Sequence, residues 1–234
     1  MTKKAIITGG TRGIGRAMSL LFAKNGYSVV ALYSSNETAA KALCSQSELI
    51  SCVRCDVADI DALKELIAAN SDADVLINNA GLSLIAPFDS VTQKQAQRLY
   101  AVDLFGTVEA TRLLLPSMLH RKSGVIINIS SIWGRDGASC EVDYSTAKAG
   151  VIGFTKALAK EVGPSGIRVN CICPGIVDTD MNGELSYDDV IAFTDSVPLE
   201  RMATADEIAK TAFFLASDDA SYITGAVIDV NGGM

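Results

Sequence analysis

The stretch Lys4-Ala5-Ile6-Ile7-Thr8 is followed at once by Gly9-Gly10-Thr11-Arg12-Gly13-Ile14-Gly15 and then by a segment of helical spacing from Arg16 to Gly26. The first run predicts a β-strand, and the Asn25-Gly26 pair is typical of a helix end. A glycine turn between a strand and a helix lets the backbone approach a pyrophosphate, which then meets the N–H groups at the start of the helix. The stretch therefore predicts a dinucleotide-binding α/β fold, with a plain turn as the alternative.

The remainder of the chain continues this alternation of strands and helices. Short apolar runs predict strands at 27–33, 51–57, 74–77, 124–131, 167–173 and 226–230. Helical spacing predicts helices at 59–70, 92–119, 144–161 and 205–216. No repeat, linker or low-complexity tract divides the 234 residues, and a more polar stretch at about 182–197 suits a lid over a substrate. We therefore expect a single-domain α/β Rossmann fold over 1–234, a doubly wound parallel sheet with helices on both faces.

The composition argues against several classes of function. A net charge of −7 and a pI near 4.7 do not suit a surface that binds nucleic acid or an anionic membrane. No apolar run approaches the roughly 20 residues that span a bilayer, and the start lacks the pattern of a signal peptide, so we expect a cytoplasmic protein. Cys52 and Cys55 form a CxxC pair without a second pair or a histidine cluster, so we expect free thiols and no metal site.

Three further segments bear on the cofactor. The predicted second strand ends in Tyr33-Ser34-Ser35-Asn36, without the acidic residue that NAD sites usually present to the ribose. Together with Arg12 in the glycine turn, these hydroxyl side chains favour NADP(H), although Glu37 follows shortly after. Asp56-Val57 ends the predicted third strand, where it is placed to contact an adenine edge. Asn78-Asn79-Ala80-Gly81 ends the fourth strand at the carboxyl edge of the sheet, where such folds bind ligands.

A candidate catalytic group lies in Tyr144-Ser145-Thr146-Ala147-Lys148, together with Ser131 at the end of a predicted strand. On a helix, Tyr144 and Lys148 project from the same face, which brings an ammonium near a phenol. A neighbouring cation stabilises the phenolate and lowers the pKa of the tyrosine towards the range useful for general acid-base catalysis. With Ser131 as a hydrogen-bond donor to the same substrate oxygen, the group suits carbonyl reduction. A Tyr–Lys pair alone is also common on solvated helix faces, so the rest of the chain decides.

These motifs together resemble the short-chain dehydrogenase/reductase family over essentially the whole chain, and within it the bacterial 3-oxoacyl-acyl-carrier-protein reductases of fatty acid biosynthesis. The resemblance continues in Pro174-Gly175 and in the terminal Val230-Asn231-Gly232-Gly233-Met234. It implies that Tyr144 is the general acid and that Ser131 orients and polarises the carbonyl. It also implies that Lys148 lowers the pKa of the tyrosine and holds the nicotinamide ribose.

The resemblance further implies a set of cofactor contacts and an assembly. Thr179 would meet the nicotinamide carboxamide, and Asn79 and Val57 would meet the adenosine side. The expected NADP(H)-binding residues are Gly9, Thr11, Arg12, Gly13, Ile14, Gly15, Ser34, Ser35, Asp56, Val57, Asn79, Ala80, Gly81, Tyr144, Lys148, Pro174, Gly175, Val177 and Thr179. Family members are usually homotetramers, paired partly through the helices that begin near Thr92 and Tyr144, so we expect a homotetramer.

Asp103 departs from the family pattern. The family's catalytic asparagine falls at Val102-Asp103-Leu104, so an aspartate stands in its place and belongs to the expected catalytic set. In the family this residue marks a distortion of the helix, and its backbone carbonyl holds a relay water connected to the lysine. A backbone acceptor survives the substitution, but a carboxylate near Lys148 would raise the pKa of the lysine. We expect the relay to be kept with an altered pH dependence.

The sequence leaves the substrate open. An acyl carrier protein is acidic, and the family's reductases meet it with arginines near the entrance of the active site. Here Arg121 and Lys122 follow the long helix, but Gly163-Pro164-Ser165-Gly166 stands where a basic residue is often found. Coenzyme A thioesters and small ketones are therefore alternative substrates. A protein of another class, a nucleotide sensor without turnover, has only Asp103 in its favour.

Overall fold

Strands and helices alternate along the chain in the computed structural model, which describes residues 2–179 and 193–234. Most of the predicted lid, at 182–192, lies outside the described residues. The elements of the first part are β1 (Lys4–Ile7), α1 (Gly13–Lys24), β2 (Ser28–Tyr33), α2 (Glu37–Cys44), β3 (Ile50–Arg54), α3 (Ile60–Ala69) and β4 (Val75–Asn78).

The next part begins with one long helical run, made of α4 (Gln93–Tyr100), a π-helical segment (Ala101–Gly106) and α5 (Thr107–Arg121). It is followed by β5 (Gly124–Ile129), α6 (Trp133–Asp136), α7 (Val142–Val162), β6 (Ile167–Pro174) and β7 (Val177–Asp178). The last elements are β8 (Ala203–Thr204), α8 (Ala205–Ala216) and β9 (Val227–Val230). None of the helices in the described ranges is both long enough and apolar enough to cross a membrane.

One parallel sheet contains seven of the strands, in the order β3-β2-β1-β4-β5-β6-β9. The chain passes from β1 to β2 on one side and later returns to the other side of β1 with β4. The strand order therefore reverses between β1 and β4. A crevice opens beside such a reversal at the carboxyl ends of the strands, and open α/β sheets bind their ligands there. This architecture confirms the predicted Rossmann fold.

Helices cover both faces of the sheet and bury its side chains. On one face, α1 and α8 pack against each other and over residues that include Ile7 and Ile77. On the other face, α3, α5 and α7 cover residues that include Ile6 and Leu76. Neighbouring residues of a strand point to opposite faces, so Ile6 and Ile7 each place a side chain in a different core. Burying each such side chain contributes about 1.5–3 kcal/mol, which makes the sheet a firm support for the loops at its carboxyl edge.

The elements differ from the sequence predictions mainly in their boundaries. The predicted helix at 92–119 is interrupted by the π-helical segment, and two short helices, α2 and α6, were not predicted. The start of α2 carries a local signal, because Asn36 Oδ1 accepts the N–H of Ala39 at 2.9 Å as a helix cap. α7 begins at Val142, so Tyr144 lies within its first turn and does not open the helix.

The six cysteines are free thiols, and they include the Cys52 and Cys55 of the CxxC pair. Cys55 follows the end of β3 and is buried, whereas Cys52 is half-buried. Burial raises the pKa of Cys52 to about 12 and that of Cys55 to about 11, so both thiols stay protonated at neutral pH. Within residues 2–179 and 193–234, no group of three His, Cys, Asp or Glu side chains is arranged to hold a metal ion.

Candidate active site

A cleft of about 790 Å³ opens at the carboxyl edge of the sheet, where the strand order reverses. Small-molecule sites in proteins have volumes of this order. Each of the predicted cofactor-binding residues lines the cleft, and so does Ser131. Asp103 is the member of the predicted site that does not line it. The fold therefore brings together residues from the glycine turn, β2, β3, β4, β5, α7 and β6.

The glycine turn after β1 is fixed by the residues that follow β4. Thr8 Oγ1 accepts the backbone N–H groups of Asn79 at 2.9 Å and of Ala80 at 3.0 Å, and Asn79 Nδ2 donates to the carbonyl of Thr8 at 3.0 Å. A Cβ atom on Gly15 would lie 2.1 Å from the carbonyl oxygen of Gly9, so only glycine fits there. The turn thus presents bare backbone and the start of α1 to the cleft, as a phosphate site requires.

Buried amides beneath the cleft tie β4 and β5 to the helices. Asn78 Nδ2 donates to Asn128 Oδ1 at 2.8 Å and to Thr111 Oγ1 at 3.0 Å. Asn128 Nδ2 in turn donates to Thr155 Oγ1 at 2.9 Å. Leaving one of these buried groups without its partner would cost about 1–3 kcal/mol. The network therefore fixes α7, which carries the candidate catalytic tyrosine, against the sheet.

Polar side chains occupy the end of the cleft beside β2 and β3. Arg12, Ser34 and Ser35 are exposed there and line the cleft. Asp56 accepts a hydrogen bond from Arg98 Nη2 at 2.7 Å. Burial alone would raise the pKa of Asp56, but the hydrogen bond and the charge of Arg98 bring it below its ordinary value. Asp56 is therefore a carboxylate at neutral pH.

Ser131, Tyr144 and Lys148 meet on the side of the cleft formed by β5 and α7. Lys148 is buried, and its Nζ lies 5.5 Å from the centre of the Tyr144 ring. The same Nζ donates to the carbonyl oxygen of Ile129 at 3.3 Å. The Ser131 side chain is close enough to Tyr144 to lower the pKa of its phenol, and Ser131 Oγ accepts the N–H of Trp133 at 3.1 Å. A phenol, a hydroxyl and an ammonium are thus held at one point of the cleft.

Asp103 lies in the π-helical segment and is fully buried behind Lys148. Its Oδ1 accepts the backbone N–H of Leu82 at 2.8 Å, and its Oδ2 lies 3.3 Å from Lys148 Nζ. A Cβ atom on Gly81 would lie 2.9 Å from the same Oδ2, so the wall of the cleft is directly in front of the carboxylate. π-Helical turns are frequent at functional sites, and this one confirms the expected distortion of the helix. Asp103 does not line the cleft, so it can influence a substrate only through Lys148 and Tyr144, which makes it a positioning residue.

The pKa values of this buried group agree only in part with expectation. Burial is the largest single influence on Lys148 and favours the neutral amine, but Asp103 and Tyr144 act together against it, and the pKa of Lys148 is raised. The Asp103 carboxylate contributes to this rise, as predicted. Burial raises the pKa of Tyr144, whereas Lys148 lowers it and Asp103 raises it further. The net direction is upward, so the prediction of a lowered pKa for Tyr144 was wrong. Burial removes water that would stabilise the phenolate, and the charge of Lys148 offsets this only in part. The phenol therefore remains protonated and can donate.

Several cleft residues were missed by the sequence analysis. Arg98 and Val102 reach the cleft from the long helical run, and Met234 reaches it from the end of the chain. Glu141, just before α7, and Phe193, within the predicted lid, also line it. The spacing of Arg98 and Val102 places them on one helical face, which is the only local signal that could have found them. Nothing local indicates that Met234 returns to the cleft, because that contact depends on the tertiary fold.

Arg121 and Lys122 lie far from the entrance of the cleft. They end α5 and precede β5, at the amino edge of the sheet, whereas the cleft lies at the carboxyl edge. Arg121 donates to the carbonyl oxygens of Ser71 and Ala73, both at 2.7 Å, and these residues precede β4 at the same amino edge. The basic pair considered from the sequence is therefore on the wrong side of the sheet to form a docking patch at the entrance.

Comparison with known proteins identifies the family. A family model described as enoyl-(acyl carrier protein) reductase matches residues 9–234. A solved structure described as a short chain dehydrogenase/reductase family protein is 31% identical, with a TM-score of 0.90 over 99% of this chain and 96% of that chain. The protein belongs to the short-chain dehydrogenase/reductase family. It is an oxidoreductase of the short-chain type, which acts on an alcohol or a ketone.

The chain is also similar to three relatives and to one further solved structure, which carry different functional names. The chain is 40% identical to an uncharacterized oxidoreductase, YmfI, of Bacillus subtilis (strain 168), over 100% of this chain and 99% of that protein. It is 40% identical to the 3-oxoacyl-[acyl-carrier-protein] reductase FabG of Chlamydia trachomatis, and 41% identical to the acetoacetyl-CoA reductase of Shinella zoogloeoides, in each case over 100% of this chain and 98% of that protein. The crystal structure of 3-oxoacyl-[acyl-carrier protein] reductase from Brucella melitensis is 32% identical, with a TM-score of 0.93 over 99% of this chain and 91% of that chain.

Short-chain dehydrogenases/reductases use a nicotinamide cofactor, and the cleft of this member fits one. The close approach of Gly15 to the Gly9 carbonyl leaves bare backbone where a pyrophosphate would lie. A Cβ atom on Gly13 would lie 3.3 Å from the Thr179 side chain, so the residue expected at the nicotinamide carboxamide is next to the glycine turn. Lys148, expected at the nicotinamide ribose, lines the same cleft. The residues present therefore suit both halves of the dinucleotide.

Proposed function

We propose that the protein is an NADPH-dependent reductase of a 3-oxoacyl thioester, of the kind used in fatty acid biosynthesis, with Tyr144 as the proton donor. The observation that carries the proposal is the convergence of Ser131, Tyr144 and Lys148 on one point of the cleft. Two relatives that match the whole chain are named for 3-oxoacyl and acetoacetyl thioesters, and both names describe reduction of a ketone beside a thioester.

The reaction adds a hydride to the carbonyl carbon and a proton to the carbonyl oxygen. When it is bound, the reduced nicotinamide supplies the hydride. Tyr144 donates the proton from its hydroxyl, which burial keeps protonated because it raises the pKa of the phenol. Ser131 donates a hydrogen bond to the same carbonyl oxygen, and the N–H of Trp133 orients the Ser131 hydroxyl from behind. Lys148 places a positive charge beside the ring of Tyr144, which favours the negative charge that develops there as the proton leaves.

The preference for NADPH is proposed from the residues beside β2. Ser34 and Ser35 offer hydroxyl donors to a 2′-phosphate, and Arg12 offers a charge of opposite sign at the same end of the cleft. We expect Ser34→Asp to lower the ratio of kcat/KM for NADPH to that for NADH by about tenfold or more, because like charges in contact cost several kcal/mol. Steady-state rates with both cofactors give this ratio. Ser34→Asn is the matched neutral control and should change the ratio much less, and an equal effect of both variants would contradict the assignment.

The substrate class is tested first with acetoacetyl-CoA. We expect rapid oxidation of NADPH, followed by the absorbance of the reduced nicotinamide, with slower oxidation of NADH. Turnover would support a thioester reductase, and comparison with acetoacetyl-acyl carrier protein would then show which carrier is preferred. Turnover only with other ketones would favour the alternative, a reductase or dehydrogenase of another ketone or secondary alcohol. Tight binding of NADPH with no turnover on a panel of ketones would favour a nucleotide sensor.

The assembly and the compartment are part of the proposal. A homotetramer is supported by apolar side chains on the helices expected to pair, since Phe105 is 57% exposed and Val142 is 43% exposed. Large apolar side chains left in water at a helix surface are typical of protein–protein contacts. A cytoplasmic setting is supported by the six free thiols, because reduced cysteines persist in reducing compartments. An acyl carrier protein is a proposed partner, and docking it would need basic residues other than Arg121 and Lys122.

A further inference from the structure

The end of the cleft beside β3 has apolar walls and one polar edge. Val57 and Val102 line it, and both are buried. A Cβ atom on Gly106 would lie 2.7 Å from Val57 Cγ2, so the long helical run is packed directly against the exit of β3. This close packing brings Arg98, one helical turn before Val102, to the rim of the cleft beside Asp56. Apolar faces beside a polar edge are suited to a flat heterocyclic base.

The polar edge is an ion pair that keeps capacity for further hydrogen bonds. Arg98 Nη2 lies 2.7 Å from Asp56 Oδ2, and Asp56 Oδ1 accepts the N–H of Ala58 at 3.0 Å. The two side chains are 45% and 36% exposed, so the pair meets both the cleft and water. A carboxylate offers about four acceptor positions and a guanidinium five donors, so neither group is saturated. An exposed pair of this kind contributes little to stability, about 0–1 kcal/mol, and its position on the cleft points instead to binding.

We propose that Arg98, held by Asp56, is a further cofactor-binding residue that recognises the adenine edge. The inference rests on the proposed cofactor site. An adenine edge presents an amino donor beside a ring-nitrogen acceptor, and a carboxylate beside a guanidinium presents the complementary acceptor and donor. Asp56 accepts from the amino group, and Arg98 donates to the ring nitrogen. Arg98 also restrains the Asp56 carboxylate so that it faces the base.

Titration of cofactor fragments into the ligand-free protein tests the inference without any measurement of turnover. The probes are 2′,5′-ADP, 5′-AMP and reduced nicotinamide mononucleotide, with calorimetry as the readout. Arg98→Met removes the donors and keeps a long unbranched side chain of similar helix propensity. We expect it to raise the Kd of both adenosine probes by the same factor, about tenfold, and to leave the nicotinamide probe unchanged. Asp56→Asn should weaken the same two probes, and the two losses should not add in the double variant because the pair acts as a unit.

Arg112→Met is the matched control. Arg112 forms a comparable exposed ion pair with Glu109 at 3.1 Å and does not line the cleft, so its loss should not alter any of the three Kd values. An unchanged Kd in Arg98→Met would overturn the inference and leave a surface ion pair. Weaker binding of 2′,5′-ADP alone, with an unchanged Kd for 5′-AMP, would also overturn the inference, because Arg98 would then bind the 2′-phosphate and not the base. A fall in the melting temperature of ligand-free Arg98→Met, matched by weaker binding of all probes, would mark a structural role. Failure of the wild-type protein to bind any probe would instead contradict the proposed cofactor site itself.

Discussion

Tyr144→Phe should lower kcat for ketone reduction by about a hundredfold or more and leave the Kd of NADPH nearly unchanged, because a positioned general acid contributes about 10²–10⁴ in rate. The substitution removes only the hydroxyl. The ring keeps its place beside Lys148, whose Nζ lies 5.5 Å from the ring centre, so the wall of the cleft is preserved. Ser131 remains to hydrogen-bond the carbonyl oxygen, but it is no substitute for the proton donor. Stopped-flow measurement of a single turnover separates this loss from any change in binding.

Tyr100→Phe is the control for Tyr144→Phe. Tyr100 also carries a hydrogen-bonded hydroxyl, which donates to Asp143 Oδ1 at 2.9 Å, but it does not line the cleft. We expect this variant to keep the wild-type kcat, since its hydroxyl is remote from the carbonyl oxygen. If Tyr144→Phe retained most of its turnover, the proton would have to come from another group, and Glu141 in the same cleft would be the first to test.

The fold followed from features that are local in the sequence. The sequence from Lys4 to Lys24 predicts a strand, a tight glycine turn and a helix, and the structure bears this out in the elements and in the close approach of Gly15 to Gly9. Phosphate binding at this turn stays a prediction. Alternating apolar runs specify a parallel sheet because each strand must be buried on both faces. The carboxyl ends of such strands lie on one edge, so residues that follow different strands, such as Ser34 and Ser131, were predicted to share a site.

Other features depend on packing that no local pattern specifies. The upward shift in the pKa of Tyr144 results from burial of a side chain whose exposure was not evident from its helical spacing. Arg98 looks like an ordinary surface residue of a polar helix, and only the packing of Gly106 against Val57 brings it to the cleft. The long helix was predicted to end at 119 and ends at Arg121, and the distance of Arg121 from the entrance follows from the direction of β5.

Asp103→Asn should shift the pH dependence of the reaction without abolishing it. The Asp103 carboxylate raises the pKa of Lys148 and that of Tyr144, so replacing it with a neutral amide lowers both values. Reduction requires the protonated phenol and is favoured by the charged lysine. In the variant the protonated phenol and the charged lysine therefore deprotonate at lower pH. We expect the alkaline limb of the kcat/KM profile to shift to lower pH by about one unit or more. In the oxidation direction the phenolate is required, so the acidic limb should move down as well.

The charges around Asp103 determine how clearly this experiment separates an effect on the proton donor from a purely structural role. Burial raises the pKa of Asp103 above its ordinary value, and this effect prevails. Lys148 at 3.3 Å, the N–H of Leu82 at 2.8 Å and the charge of Arg98 act in the opposite direction and favour the ionised form. Asp143→Asn is the matched control, because Asp143 is also buried but does not contribute to the pKa of Tyr144. If Asp103→Asn and Asp143→Asn both kept the wild-type pH profile, Asp103 would be only a structural partner of the π-helical turn. A shift in Asp103→Asn alone would mean that this chain uses a buried carboxylate, which acts on both Lys148 and Tyr144, to adjust the proton donor.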